Sequence, residues 1–132
     1  MSAAAALQKA IYERLSGDAE LLLLLGDGGV RDHLQTGSHR PGISIVSLES
    51  RDASTASEAG EEHLVTLAVR TGEGGNRAAQ EIAARVRALL DDAALDLAGF
   101  SLVSLFHRRT RTGRDAKAKG HVAEMVFRAV TE

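Results

Sequence analysis

The sequence predicts an α+β fold: an antiparallel β-sheet of about four to five strands with two main helices packed on one face. Three observations lead there. Two stretches carry apolar residues at helical spacing. Four others are rich in β-branched residues and alternate apolar with polar. Polar segments join neighbouring strand stretches, which makes hairpins, and hairpins make antiparallel sheets.

The first helix is expected from Ala3 to Leu15. Ala3, Leu7, Ile11 and Leu15 recur every fourth residue, and Gln8, Lys9, Glu13 and Arg14 lie elsewhere on its surface. Ser16-Gly17 interrupts it. Asp18 then caps a short second helix, Ala19 to Leu25, which Gly26 ends. Asp27-Gly28-Gly29 reads as a turn, Val30 to Leu34 as a short strand, and Gln35 to Gly42 as a loop holding the single proline, Pro41. The second main helix begins at the cap Asn76 and runs to about Asp92. Its stripe is Ala79, Ile82, Ala83, Val86, Leu89 and Leu90.

The strands are Ile43–Arg51, Leu64–Thr71, Phe100 to about Arg109, and Val122–Val130. In the second, Val65, Leu67 and Val69 alternate with Thr66, Ala68 and Arg70, so one face is apolar. Asp52 to Glu62 is polar and acidic and reads as a long, mobile hairpin connection. Thr110 to Gly120 is polar and basic, and Ala93 to Gly99 is a short connection.

Composition narrows the function. At 132 residues, the chain is expected to form a single domain, 1–132. Only four residues are aromatic, so Leu, Val, Ile and Ala must build the core. There is no cysteine, which removes disulfides, thiolate metal sites and cysteine nucleophiles. A formal net charge of −2 gives no global attraction to nucleic acid or acidic membranes. The longest apolar run, Leu21 to Leu25, is far short of the roughly 20 residues a bilayer requires. The N-terminus does not read as a signal peptide, so synthesis in the cytoplasm is expected.

Catalytic patterns are missing. Asp91-Asp92 are adjacent at a helix end and Glu61-Glu62 adjoin in a loop, whereas an acid/base pair needs two carboxylates facing one bond. His33, His39, His63, His107 and His121 match no metal-ligand spacing, and His63 and His107 are placed to face each other across the sheet. Ser38 and Ser101 lack the setting of a nucleophile elbow. Gly72-Glu73-Gly74-Gly75-Asn76-Arg77 leads into a helix N-terminus but lacks the ending of a phosphate loop. No catalytic residue, metal or cofactor is expected, and the chain reads as a non-enzyme.

The charges are more informative. Arg108, Arg109, Arg111, Arg114, Lys117 and Lys119 are six cations within twelve residues. Against them stand Glu49, Asp52, Glu58, Glu61 and Glu62. Three readings stay open: solvated loops, complementary contact between neighbouring copies, or nucleic-acid contact by the basic loop. The basic loop has no aromatic residue for base stacking.

Leu7-Gln8-Lys9-Ala10-Ile11-Tyr12-Glu13-Arg14-Leu15, followed by Asp18-Ala19 and the leucine run, resembles the opening of the tail-completion (tail-terminator) family of long-tailed phages and gene transfer agents. Val30-Arg31-Asp32-His33 with Pro41, the hairpin around Glu58-Ala59-Gly60-Glu61-Glu62-His63, the helix Ala78 to Leu90 with Leu95 to Gly99, and the ending Phe127-Arg128-Ala129-Val130-Thr131-Glu132 extend the resemblance over nearly the whole chain. It implies a structural particle protein at the head–tail junction. Such a protein forms a ring, usually a hexamer, that caps the tail tube protein, ends tube polymerisation and docks to the head–tail connector in the neck. DNA passes its lumen only as transient cargo, and no membrane is involved. Another neck connector, such as a head-completion protein, and a small nucleic-acid-binding protein are the alternatives. No lumen or docking residue transfers by motif.

Overall fold

The computed structural model describes residues 1–26, 29–31, 41–72, 75–115 and 120–132. Its elements are α1 (Ala3–Ser16), α2 (Ala19–Leu25), β1 (Val30–Arg31), β2 (Gly42–Asp52), β3 (Glu61–Thr71), α3 (Gly75–Leu90), β4 (Leu102–Asp115) and β5 (Gly120–Thr131). The fold is α+β. The expected turn at Asp27-Gly28, residues 32–34 of the first strand and most of the loop up to Arg40 lie outside the described residues.

Local chemistry sets the helix starts. The Ser2 hydroxyl accepts from the Ala5 N–H at 3.1 Å and caps α1. The Asp18 carboxylate accepts from the Leu21 N–H at 2.9 Å and caps α2. The same carboxylate receives two hydrogen bonds from Arg85 of α3, at 2.7 and 2.9 Å, so the cap also ties the two helices together. Arg85 and the Leu21 amide hold the Asp18 carboxyl down to about 2. The α3 stripe predicted from the sequence is the buried face: Ala79, Ile82, Ala83, Val86, Leu89 and Leu90. Past its end, Asp91 and Asp92 form a turn, with Asp92 at φ 58°, a left-handed conformation that Asp tolerates better than most residues.

The five strands lie in the order β1-β2-β3-β5-β4. Every pairing is antiparallel except β1 with β2, which is parallel over Val30↔Ile43 and Arg31↔Ser44. The core sits between the helices and one face of the sheet. That face presents Ile43 and Ile45 of β2, Val65, Leu67 and Val69 of β3, and Ala123, Met125, Phe127 and Ala129 of β5, all buried. Fully burying side chains of this size stabilises the fold by roughly 1.5–3 kcal/mol each. The opposite face is open and carries alternate residues: Ser47 and Glu49 on β2, Glu62, Leu64 and Thr66 on β3, Glu124, Val126 and Arg128 on β5, Phe106, Arg109 and Arg111 on β4.

The strands run into both expected connections. β2 and β3 run through Asp52, Glu61 and Glu62, which leaves 53–60 as the turn. That turn is laced internally: the Ala53 N–H donates to the Gly60 carbonyl at 2.9 Å and the Thr55 N–H to the Glu58 carbonyl at 2.8 Å. The connection is thus an eight-residue turn closed by its own hydrogen bonds. Likewise β4 continues through Thr110 to Asp115, so Arg111 and Arg114 belong to a strand; Lys117 and Lys119 lie outside the described residues.

Candidate functional site

The register places the two charged hairpins at opposite ends of the sheet. Glu61 of β3 pairs with Thr131 of β5 at one end, and Thr71 with His121 at the other. The acidic turn follows Asp52 and precedes Glu61; the basic hairpin turns between Asp115 and Gly120. With about 3.3 Å per residue, the eleven residues of β3 separate these ends by roughly 33 Å. The two clusters therefore do not neutralise each other within one chain.

At the acidic end, several carboxylates are already engaged. Glu62 accepts from Arg128 at 2.9 Å and pairs with Arg51 at 2.9 Å, and these guanidiniums hold its carboxyl below the usual range. The Ser54 hydroxyl and amide donate to Asp52 at 2.6 and 3.1 Å, with the same effect on its carboxyl. Glu58 lies beside Glu132, whose carboxyl is pushed up by that hydrogen bond and by the neighbouring negative charge. Glu61 is half-buried next to His63. Glu49 is exposed on the open face and makes no ion pair with another described residue.

At the basic end, Arg108, Arg109, Arg111 and Arg114 are exposed, and none is ion-paired with another described residue. Arg108 sits at a β-bulge between His107 and Arg109. The cation that is tied down here is one the sequence did not single out: Arg70 of β3 lies 3.7 Å from Asp115 and donates to the Ser44 hydroxyl at 3.4 Å.

His63 and His107 do not face each other, because β5 runs between β3 and β4, and each is held by contacts of its own. His63 is buried on the core side, with Ser50 at 2.7 Å from Nδ1 and Thr131 at 2.9 Å from Nε2. Burial depresses its pKa, partly offset by the charge of Glu61. His107 packs edge-on against Phe127, with ring centroids 5.5 Å apart. Burial, then the Arg87 charge, lowers its pKa. Asp91 and Asp92 diverge as expected: the His107 N–H donates to the Asp91 carboxylate at 2.9 Å, while the Asp92 N–H donates to the Leu105 carbonyl at 2.8 Å. Among the described residues no group of three or more His, Asp or Glu is placed to hold a metal. His33, His39 and Ser38, together with Glu73 and Gly74 of the glycine-rich stretch, lie outside the described residues. No helix among the described residues is long and apolar enough to cross a membrane.

Leu22, Leu23 and Leu24 of α2 are exposed, Leu23 at 84%, as are Val103 and Phe106 of β4. Apolar residues grouped in this way on one short helix form a candidate contact surface.

Comparison with known proteins accounts for such a surface. The family model described as tail completion protein gp17 matches residues 9–132. The chain belongs to that family. A chain from the virion of a native gene transfer agent particle superposes on it with a TM-score of 0.85 and 32% sequence identity, covering 100% of this chain and 99% of that one. No curated protein sequence matches it. This tail-completion chain thus shares its whole fold with a particle component. Its exposed charges and leucines lie on a structural protein of that kind.

Proposed function

We propose that the chain assembles into a closed ring, hexameric in the finished particle. The ring caps the tail tube, ends its polymerisation and docks it to the neck connector. Residues 1–132 act as a single domain with no catalytic role. The chain is made in the bacterial cytoplasm and ends at the head–tail junction, where DNA crosses the lumen as cargo. The observation carrying this reading is the end-to-end similarity to a chain of a gene transfer agent virion. The charge distribution supports it: arginines without a described ionic partner on the β4 edge, and Glu49 on the β2 side of the sheet, suit a heterologous contact that closes on itself.

In this reading Arg108, Arg109, Arg111 and Arg114 face a protein neighbour, not the lumen. A ring of such cations around the channel would hold the phosphate backbone and retard it. Glu49, Asp52, Glu58, Glu61 and Glu62 lie on the complementary side.

Deleting the gene from a producing strain tests the reading. The expected particles have tails of abnormal length, or heads and tails left unjoined. Normal infectious particles from the deletion strain would refute it.

A further inference from the structure

The two edges of the sheet are unequal, and each has a bounded stretch of uncovered backbone. On β4, the outward groups at Leu105 and His107 are occupied by the turn after α3, through Asp92 and Asp91. From Arg108 to Asp115 no described residue pairs with the outer side of β4. On the other edge, β1 covers only Ile43 and Ser44 of β2. From Ile45 to Asp52 no described strand pairs with the outer side of β2. Neither stretch meets a further strand among the described residues, and the two are equal in length. Bare strand edges of this kind are templates for pairing with another chain.

They also match in level, direction and charge. Arg109 pairs with Val126, Val126 with Thr66, and Thr66 with Ser47, so Arg109 and Ser47 share one cross-strand row on the open face. In the adjacent row, Phe106 pairs with Arg128, Arg128 with Leu64, and Leu64 with Glu49. β2 and β4 run in opposite directions, since three antiparallel pairings connect them. A second copy set beside the first in the same orientation therefore presents its β2 antiparallel to β4. A stagger of one row, about 7 Å of strand, brings Arg109 opposite the neighbour's Glu49 and Arg111 opposite the neighbour's Ser47. Directly opposed unlike charges stabilise a strand pair, and like charges disfavour it.

We infer that the free edge of β4 around Arg109 to Arg111 adds onto the free edge of β2 around Ser47 to Glu49 in a neighbouring copy of this chain, so that the ring carries one continuous sheet from copy to copy; the β2 bulge between Ile45 and Ser47 ends the regular part of the pairing. The inference rests on the ring reading and specifies its interface. The α3 turn bounds the pairing on one side and β1 bounds it on the other; within those bounds the opposition of Arg109 and Glu49 selects this register over the next, which would set Arg109 opposite the neighbour's Arg51. The contact is heterologous: each copy gives one edge and receives the other.

The chain has no cysteine, so introduced thiols report without background. Particles carrying Glu49→Cys together with Arg109→Cys, treated with a short bis-maleimide, should yield a covalent ladder of multimers of this chain. Either substitution alone should yield none. Particles that hold several copies per neck by quantitative mass spectrometry, yet give no ladder, would overturn the edge pairing and leave the ring standing. A single copy per particle would overturn the ring, and the pairing with it. A charge exchange covers the case in which the cysteine chain does not assemble. Glu49→Arg and Arg109→Glu should each lower particle yield by roughly tenfold or more, because the like-charge pair recurs at every interface. Combined, they should restore it. Failure of the combination, with both chains folded by circular dichroism, counts against the pairing.

Discussion

The two hairpins are built alike and finished differently. Each ends in a charged turn, and each has a glycine at its root pressed against neighbouring backbone. At the β2–β3 turn, a side chain on Gly60 would lie 3.3 Å from the carbonyl oxygens of Ala53 and Thr131. At the β4–β5 turn, a side chain on Gly120 would collide with the Thr71 carbonyl oxygen and lie 2.9 Å from that of Gly72. The acidic hairpin satisfies two of its five carboxylates at home, Asp52 on Ser54 and Glu62 between Arg51 and Arg128. The basic hairpin leaves Arg109, Arg111 and Arg114 without a described ionic partner. The first uses part of its polar groups to hold its own shape, and the second leaves its arginines exposed.

The largest expected effect separates the two roots. Gly120→Ala should destabilise the isolated chain by about 3 kcal/mol, the upper end for overpacking, because the obstructing atoms are backbone and cannot turn aside. Gly60→Ala should cost under about 1 kcal/mol, since a shift of a few tenths of an ångström relieves it. Urea denaturation of both variants measures the gap. Equal losses would mean that the roots are equally tight.

A middle effect concerns the buried histidine at the root of the acidic hairpin. The folded-state pKa of His63 lies below its ordinary 6.5 because burial disfavours the charged ring. The unfolded chain therefore binds the proton first. Stability from this site is complete above about pH 6.5 and declines as pH falls through that value toward the lower folded pKa. His63→Gln should flatten the stability curve in this window, and the remaining slope should include His107, whose pKa is depressed likewise. The carboxylates act in a separate, more acidic window. Asp18 and Glu62 have depressed folded pKa values, so their stabilisation is present above the unfolded values of 3.8 and 4.5 and is lost below them, for Asp18 as pH approaches about 2. Thermal melts from pH 7 to pH 3 distinguish the two windows.

These contrasts mark where the sequence is readable. The stripes of α1 and α3 were legible because a helix face repeats locally, and Leu7, Ile11, Val86 and Leu90 are indeed buried. The alternation of Val65, Leu67 and Val69 likewise exposed one face of β3 to reading. The stretch Thr110 to Asp115 was not legible as strand. Its Thr, Arg and Gly residues show no apolar alternation, and its strand character comes from pairing with Gly120–Met125. His63 sits beside two glutamates and reads as surface, yet its partners Ser50 and Thr131 arrive from other strands. Strand order was equally hidden. The placement of β5 between β3 and β4 makes β4 an edge, and no local signal announces it. The acidic and basic clusters were visible as charge runs, but their separation to opposite ends of the sheet follows only from register.

The smallest expected effect on the folded chain is the most discriminating for the basic hairpin. Arg109→Ala and Arg111→Ala remove exposed side chains that have no described ionic partner. Substitutions of this kind change stability by no more than about 0.5 kcal/mol. The isolated variants should therefore melt with the parent chain. Particle assembly should nonetheless suffer, because the interaction those arginines make lies outside the monomer. The acidic side gives the opposite pattern: Glu62→Gln should lower the melting midpoint of the isolated chain, since it releases both Arg51 and Arg128. If Arg109→Ala destabilises the monomer as Glu62→Gln does, the basic hairpin is serving its own fold, and the division of labour between the two hairpins is lost.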